Sequence, residues 1–363
     1  MPRKSKIQTA IRCVLFVAIA VLLTLFYIKL NNIQEDLWKW DSGLINITPT
    51  EKNIDLQAIQ DEFLNVIETQ KSSTAAIMKI KKIKIVGEDW EEESEVETTK
   101  SQEWNAIVIT TDWYLLTNKH VVEDKQWIYS VIIEDKEYPV DKIWNDDELD
   151  LSIIKVKTEK VLTAAKIPSL NQEIKIWNIV FAIKNNIESK EYRTKMWIIN
   201  SKNQKLKQKN WNIYVWLIKS STAIEPGFSG GPLVDINWNT IWINTAIDNI
   251  EYWASYSLPI NQELISESIN SIKENNKITR PTLNIKYEPA DKWIRITSIQ
   301  EWSDAEKQWL KIWDIVVWIN DIPIDHNNFL YVLYSHKAWK SVVLNIQQWE
   351  LKNNIQVTLS NKQ

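Results

Sequence analysis

The sequence predicts a mainly β protein preceded by one N-terminal transmembrane helix. Three observations support this prediction: short β-type runs recur between residues 104 and 258, turn-forming residues separate them, and a smaller β-rich unit follows over 281–363. A chain of 363 residues is also long enough for two ordinary domains. The pattern favours an all-β barrel or sandwich and does not distinguish between these two architectures.

The composition excludes several classes of protein. With 43 basic and 47 acidic residues, the formal net charge of −4 argues against a nucleic-acid partner. A single cysteine, Cys13, excludes a disulfide framework and a cysteine-based zinc site. Because 44% of the residues are apolar, the chain can bury a core. We expect neither a metal ion nor a cofactor.

Residues 1–30 are predicted to form a cytoplasmic tip and a transmembrane signal anchor. Residues 1–12 carry four basic side chains and no acid, whereas residues 13–28 are uncharged and almost wholly apolar. This segment is at the short limit for a membrane span, and a cleaved signal peptide is the alternative. Because no small-residue cleavage site follows, we expect an uncleaved anchor in the cell membrane that places the rest of the chain outside the cytoplasm.

The next elements are predicted from hydrophobic periodicity. Residues 31–72 form a polar tether and an amphipathic helix over 54–70, and residues 75–86 form a strand. The Glu-rich run over 88–103 is expected to be a solvated loop. The further predicted strands are Ala106–Thr110, Tyr114–Thr117, Ile128–Ile133, Leu151–Val156, Ile179–Ile183, Ile213–Ile218, Leu233–Asp235 and Thr240–Ala246.

Helical patterns mark the C-terminal third of the chain. A helix over 260–277 that ends in Lys-rich sequence indicates a domain boundary. Two shorter helices are expected within the following β-rich unit, at 304–310 and near 329–336.

Two residue types occur at abnormal frequencies. Glycine accounts for 5 of 363 residues, about 1% where about 7% is usual, and tryptophan accounts for 21. Tryptophans such as Trp113, Trp238 and Trp302 lie beside Asp, Asn or Ser in turn contexts, where glycine supplies positive φ without steric cost. We interpret many of them as glycines encoded by UGA in a variant genetic code. The alternative is a Trp-rich binding protein, for instance for sugars, whose tryptophans would cluster in one site.

The strongest local signal for chemistry is Glu225-Pro-Gly-Phe-Ser-Gly-Gly-Pro-Leu, with Ser229 at its centre. A serine hydroxyl is a poor nucleophile unless a base removes its proton and amides stabilise the oxyanion. A turn at Gly227 can direct the backbone N–H groups of Gly227 and Ser229 to one point. Ser229 is therefore the candidate nucleophile, and these two amides form the candidate oxyanion hole.

The candidate base is His120, which follows an apolar strand. The acid that orients such a base must be buried beside it. Asp150 opens the apolar run Leu151–Val156 and fits this requirement, whereas the alternatives Asp146 and Asp147 lie in a polar loop.

The segments around these residues resemble the HtrA/Deg family of membrane or periplasmic serine proteases, and the order His, Asp, Ser is that of trypsin-fold proteases. Trp113-Tyr-Leu-Leu-Thr-Asn-Lys-His-Val-Val resembles "DGYILTNxHVV", Asp150-Leu-Ser-Ile-Ile-Lys-Val resembles "DLALLKV", and the Ser229 segment resembles "NPGNSGGPL". The resemblance implies a trypsin-like double β-barrel over 73–270 that degrades misfolded or damaged, unfolded proteins. It also implies a homo-oligomer, namely a trimer. By the same alignment Ala223 and Ile224 lie at the S1 pocket, and the absence of an acid there favours small or medium apolar P1 residues over Lys or Arg.

The unit over 279–363 resembles a PDZ domain, because the segment from Glu301 to Asn320 is similar to "EGSPAxxAGLKxGDIIVxIN" with tryptophan at its glycine positions. The loop that binds a peptide carboxylate would then consist of Thr282, Leu283, Asn284 and Ile285, with Asn284 where glycine is usual. This resemblance implies binding of C-terminal peptides.

Two residues of the Ser229 segment depart from the family pattern. Phe228 replaces a usual Asn or Asp, and Glu225 replaces a usual Asn. An inactive scaffold that binds peptides through the PDZ unit is the alternative function, and Phe228 is its only support.

Overall fold

The computed structural model describes residues 24–25, 27–29, 55–84 and 96–362, with gaps at 173, 188, 190, 208–212, 222–226, 246–254, 292 and 349–350. Most of the predicted membrane segment, and the tether over 31–53, lie outside these residues. Among the residues that are described, no helix is both long and apolar enough to cross a bilayer. Residues 57–363 form one compact unit.

The first helix, α1, spans Leu56–Gln70 and confirms the predicted amphipathic helix. Its inward face buries Val66 and packs Phe63 edge-on against Phe181, with the ring centroids 5.2 Å apart. A 3₁₀ turn over Lys71–Ser73 then leads into the first strand. The apolar stripe of α1 thus attaches the helix to the body of the molecule.

Six strands form a closed antiparallel barrel in the N-terminal half of the compact unit. They are β1 (Thr74–Lys84), β2 (Val96–Val108), β3 (Tyr114–Thr117), β4 (Ile128–Ile133), β5 (Lys136–Asn145) and β6 (Ser152–Val156), with a short helix α2 (Lys119–Val122) after β3. Their order in the barrel is β1-β2-β3-β6-β5-β4. Fully buried aliphatic side chains such as Ile77, Leu115 and Ile154 fill the interior, and closure leaves no unpaired sheet edge.

Six further strands close a second barrel of the same kind. They are β7 (Ile179–Asn186), β8 (Glu191–Lys207), β9 (Ile213–Ser220), β10 (Pro232–Asp235), β11 (Thr240–Thr245) and β12 (Ser255–Pro259), in the spatial order β10-β11-β12-β9-β8-β7. Val180, Ile218 and Leu233 are among the buried residues of its core. The two barrels confirm the predicted trypsin-like double β-barrel.

Helix α3 (Gln262–Asn275) connects the barrels to the C-terminal unit and confirms the predicted helix. Its Leu264 and Ile269 lie in one apolar cluster with Ile243 of the second barrel and Ile294 of the C-terminal sheet. The remaining elements are β13 (Pro281–Thr282), β14 (Ile285–Ala290), β15 (Trp293–Ile299), α4 (Asp304–Lys307), β16 (Ile315–Ile319), β17 (Ile322–Pro323), α5 (Phe329–Tyr334), β18 (Ser341–Gln348), β19 (Leu351–Thr358) and β20 (Ser360–Asn361). The main sheet has the order β14-β15-β16-β18-β19, with β17 on β16, while β13 pairs with β20.

The Glu-rich segment is only partly a loop. Strand β2 begins at Val96, and residues 96–103 pair with β1, so the loop prediction is wrong for these residues; residues 88–95 lie outside the described part of the chain. The backbone groups of a long β1 need partners, and this requirement outweighs the low strand propensity of Glu and Lys.

The tryptophans occupy backbone conformations that favour glycine. Of the thirteen non-glycine residues with positive φ among those described, seven are tryptophan, and the other six are Asn, Asp or Glu. Four of them, Trp177, Trp302, Trp309 and Trp313, have φ between 64° and 81° and are 68–83% exposed. These four positions combine a backbone conformation that favours glycine with an exposed indole ring. Trp339 has the same conformation, with φ of 65° and 69% exposure, although its neighbours in the sequence did not indicate a turn.

A second group of tryptophans is buried instead. Trp197 and Trp242 are 2% and 5% exposed in the core of the second barrel. Their indole N–H groups, and that of Trp238, are buried without a hydrogen-bond partner in the described part of the chain. A buried donor without a partner is costly, so tryptophan fits these positions poorly as well.

A buried ion pair links the C-terminal unit to the first barrel. Arg280 donates from Nε and Nη2 to Oδ2 of Asp146, at 2.8 Å from Nε, and both side chains are at most 2% exposed. Oδ1 of Asp146 accepts the backbone N–H groups of Glu148 and Leu149. Burial raises the pKa of Tyr334, so its hydroxyl stays protonated and donates to Oε2 of Glu148 at 3.2 Å. Asp146 lies in a loop, as expected, and its carboxylate is buried there because Arg280 reaches it from a distant part of the sequence.

We expect Arg280→Ala to lower the free energy of unfolding by about 3–5 kcal/mol, because it leaves the Asp146 carboxylate buried without a counter-charge. Urea denaturation measures this change. The matched control is Lys337→Ala, which breaks the exposed pair with Glu274 (3.1 Å) and should have little effect. Equal effects of the two substitutions would contradict the prediction.

Candidate active site

Strand pairing in the first barrel brings His120 to Asp150. β3 runs antiparallel to β6 with Thr117 opposite Ser152, so the end of β3 and the start of β6 lie at one end of the barrel. His120 lies on α2 just after β3, and Asp150 comes just before β6. The register thus places together two residues that the sequence separates by thirty positions.

The carboxylate of Asp150 holds the His120 ring from one side. Nδ1 of His120 lies 2.8 Å from Oδ2 and 3.1 Å from Oδ1 of Asp150, and the backbone N–H of His120 also donates to Oδ1, at 3.1 Å. The Asp150 side chain is 4% exposed, whereas that of His120 is 30% exposed. Because a carboxylate only accepts, a neutral imidazole here carries its proton on Nδ1 and keeps Nε2 as a base. The hydroxyl of Thr245 donates to Oδ2 of Asp150 at 3.3 Å.

Ser229 lies in a tight turn before β10 and is fully buried. The N–H of Gly231 donates to the carbonyl of Phe228 at 3.0 Å and closes the turn. Gly227 and Gly230 have φ of 93° and 78°, which a residue with a side chain rarely adopts. A Cβ at Gly230 would lie 2.0 Å from the carbonyl oxygen of Asn105, so only glycine fits there.

Asn118 links the turn that contains Ser229 to Asp150. Its Oδ1 accepts the N–H of Gly230 at 2.7 Å, beside Ser229. Its Nδ2 donates to the carbonyl of Asp150 at 3.0 Å and to Oγ1 of Thr245 at 2.6 Å. The side chain is fully buried. Sequence reasoning did not assign a role to Asn118, although it stands two residues before His120 in the segment that carries the resemblance.

The predicted S1 residues, Ala223 and Ile224, lie outside the described residues. Phe228, which departs from the family pattern, is 1% exposed and packs with Trp197, Ile218 and Leu233 in the core of the second barrel. The core of the second barrel therefore accommodates the phenylalanine at this position.

The predicted peptide loop of the C-terminal unit lies between β13 and β14. Thr282 ends β13, Leu283 is 2% exposed, and Ile285 begins β14, opposite Ile299. Asn284 has φ of 57°, its N–H donates to Oγ1 of Thr282 at 3.0 Å, and its carbonyl accepts from Gln300 at 2.9 Å. Asparagine thus adopts the left-handed conformation that glycine would otherwise supply.

Comparison with known protein families matches residues 105–241 to the trypsin-like peptidase domain. The chain is 26% identical over 233 residues to a probable periplasmic DegP-like serine endoprotease of Hahella chejuensis, and 26% identical over 236 residues to that of Chlamydia pneumoniae. The chain therefore carries a trypsin-like peptidase domain that is similar to those of HtrA/DegP-like serine endoproteases. Each match covers 60% of this chain, and 48% and 46% of the two relatives, so the chain spans about half the length of the curated relatives it matches.

Solved structures show the same fold for this HtrA/DegP-like domain and the unit that follows it. The HtrA-type protease AlgW with a decapeptide is 20% identical, with a TM-score of 0.59, and the match covers 83% of this chain and 99% of that one. AlgW with a tripeptide is 21% identical, with a TM-score of 0.57 and coverage of 83% and 97%. At this identity the likeness concerns the fold.

Proposed function

We propose that the protein is a membrane-anchored serine endopeptidase that degrades misfolded or damaged proteins outside the cytoplasm. The observation that carries this proposal is the His120–Asp150 pair, joined through Asn118 to the turn that holds Ser229. The DegP-like relatives are named as periplasmic endoproteases, which agrees with an extracytoplasmic catalytic domain.

In this proposal His120 accepts the hydroxyl proton of Ser229 through Nε2 while Ser229 Oγ attacks the scissile carbonyl carbon. The resulting oxyanion is stabilised by the N–H groups of Gly227 and Ser229. The protonated His120 then donates its proton to the leaving amine as the C–N bond breaks, and a water molecule activated by the same base hydrolyses the acyl-enzyme. Asp150 keeps the ring oriented and stabilises its positive charge, since it bonds Nδ1 at 2.8 Å.

The proposed organisation has four parts: the anchor over 1–30, the tether and α1 over 31–72, the protease domain over 73–270 and a PDZ domain over 279–363. The S1 pocket is assigned to Ala223 and Ile224, which favour small or medium apolar P1 residues. The assembly is proposed to be a homo-oligomer, a trimer by family resemblance.

Labelling with a fluorophosphonate probe tests the enzymatic proposal. A working triad activates Ser229, so the full-length protein should form one covalent adduct at Ser229, located by peptide mass spectrometry. Absence of an adduct at Ser229 in folded protein would instead favour the inactive peptide-binding scaffold.

The PDZ assignment is supported by the edge position of β14 in its sheet and by the turn at Asn284. An extended peptide could add to this edge, while backbone N–H groups of the loop over 282–285, other than that of Asn284, bind its carboxylate. The edge strand lies beside α5, since Tyr287 of β14 packs on the buried Phe329 of α5 with the ring centroids 4.8 Å apart.

We therefore expect peptides with a free, apolar C-terminus to bind, and amidation of the carboxylate to weaken binding at least about tenfold, because charge-assisted hydrogen bonds are lost. Isothermal titration with the Ser229→Ala protein avoids cleavage of the peptide. A scrambled peptide with the same C-terminal residue is the control for composition. Equal affinity for the free and amidated peptides would contradict the PDZ assignment.

We also propose that many tryptophans of the printed sequence are glycines in the cell, encoded by UGA. The positive φ of seven tryptophans and the three buried indole N–H groups without partners support this proposal.

A further inference from the structure

A buried asparagine of the first barrel holds the turn that contains Ser229. Asn105 lies in β2, opposite Ala76 of β1, and is fully buried. Its side-chain Nδ2 donates to the carbonyl of Gly227 at 2.6 Å, and its backbone N–H donates to the carbonyl of Ser229 at 2.9 Å. One residue of the first barrel therefore binds the peptide group before Phe228 and the peptide group after Ser229, and these two flank the peptide group that carries the Ser229 N–H.

The other polar atoms of Asn105 fix its own position. Oδ1 accepts the N–H of Asn185 in β7 at 2.8 Å, and the carbonyl accepts from Oγ1 of Thr117 at 2.8 Å. The side chain thus spans the two barrels, and rotation of its amide would break bonds to both Gly227 and Asn185. In a buried, low-dielectric environment such a fully bonded network has one strongly preferred geometry.

The bonds made by Asn105 bear on the amides that the proposed mechanism uses. Gly227 has φ of 93°, and with no Cβ its neighbouring peptide groups have several accessible orientations. A carbonyl fixed at Gly227 and another fixed at Ser229 limit this freedom. Because an oxyanion hole depends on donors that are oriented before reaction, loss of this restraint reduces catalysis even where the serine, histidine and aspartate are intact.

We propose that Asn105 is a positioning residue that orients the N–H groups of Gly227 and Ser229 for the oxyanion. This inference rests on the proposed protease function. Asn105 touches no reacting atom and acts only through the turn over 227–229.

The test compares two buried Asn→Asp substitutions in the full-length chain, in the more soluble of its tryptophan and glycine forms. Asn105→Asp keeps the acceptor for Asn185 but removes the donor to Gly227 and places a carboxylate oxygen against its carbonyl. Asn185→Asp is the matched control, because that side chain is also buried and joins the barrels, donating to the carbonyl of Ile132 and to the hydroxyl of Tyr192, each at 3.3 Å. Fluorophosphonate titration gives the number of active sites in each preparation.

We expect Asn105→Asp to lower kcat per titrated site about 10²-fold with KM little changed, while Asn185→Asp alters kcat only slightly. The affinity for a peptide boronic acid, whose tetrahedral adduct occupies the oxyanion hole, should fall by the same factor as kcat/KM. A merely structural role would instead reduce the number of titrated sites and leave kcat per site unchanged. Should Asn105→Asp fail to fold, Asn105→Ala removes both side-chain bonds without adding charge and is judged by the same criteria.

Equal kcat per titrated site in the Asn105 variant and the control would overturn the inference. A wild-type protein that shows neither labelling nor hydrolysis would instead overturn the proposed function, so the two failures are distinguishable.

Discussion

Substitution of Ser229 by alanine is expected to lower hydrolysis of an unfolded protein substrate by about 10⁶-fold, the order observed when the nucleophile of a catalytic triad is removed. No other group in the turn can form the acyl-enzyme in its place. Release of peptides from a reduced and alkylated protein substrate measures the rate. The fold should be unaffected, because the hydroxyl is replaced by hydrogen and the turn is held by backbone bonds from Gly230 and Gly231.

His120→Ala should be about as damaging as Ser229→Ala, since the members of a triad act as a unit and their losses do not add. The double variant should consequently be no slower than either single variant. Unchanged thermal unfolding of the three proteins is the control for folding. Substantial hydrolysis by purified Ser229→Ala protein would show that Ser229 is not the nucleophile.

The candidate catalytic constellation could be read from the sequence more readily than the strands of the barrels. His120, Asp150 and Ser229 stand in short segments whose chemistry can be recognised locally, and the structure places His120 against Asp150. The residues that hold the constellation together were not found this way. Asn105 and Asn118 are ordinary polar residues in the sequence, and their roles arise only when two barrels place them beside the Ser229 turn.

The missed strands have a similar cause. β5 (Lys136–Asn145) and β8 (Glu191–Lys207) contain many charged and polar residues and carry little β-type pattern. Each is a strand because its neighbours in a closed barrel need backbone partners on both sides, as β8 lies between β7 and β9. Strand propensity read from one segment contains no information about such a neighbour. The same limit explains why the burial of the Asp146 carboxylate was not predicted, since its partner Arg280 lies 134 residues away.

Glycine at the tryptophan positions should decide whether the chain folds. The tryptophans that match family glycines are Trp104, Trp113, Trp177, Trp197, Trp238, Trp242, Trp253, Trp302, Trp309 and Trp313. Trp253 lies outside the described residues, and six of the other nine have positive φ, where a Cβ costs about 1–2 kcal/mol for each residue. Three have a buried indole N–H without a partner, at about 1–3 kcal/mol each. The combined penalty is comparable to the whole stability of a domain, about 5–15 kcal/mol.

We therefore expect a synthetic gene with glycine at these ten positions to give soluble, active full-length protease in detergent, and the tryptophan form to be largely insoluble. Solubility, hydrolysis and the midpoint of urea denaturation measure the difference. The φ angle of each tryptophan provides a control at single positions. Restoring tryptophan at position 302, where φ is 64°, should destabilise the glycine form by about 1–2 kcal/mol. Trp318 lies in strand β16 and is not among the residues with positive φ, so Trp318→Gly should bring no gain.

Substitution of tryptophan by asparagine distinguishes the effect of backbone conformation from the effect of removing the indole ring. Asn276, Asn284 and Asn320 already adopt φ of 52–57° in this protein, so asparagine is tolerated in the left-handed region. Trp302→Asn should accordingly recover much of the stability that Trp302→Gly recovers, whereas Trp302→Val should not, because a β-branched side chain is strained at positive φ. Mass spectrometry of the protein from its own cells then tests the recoding directly. Tryptophan found at these ten positions, or a tryptophan form as soluble and active as the glycine form, would show that the printed residues are the native ones.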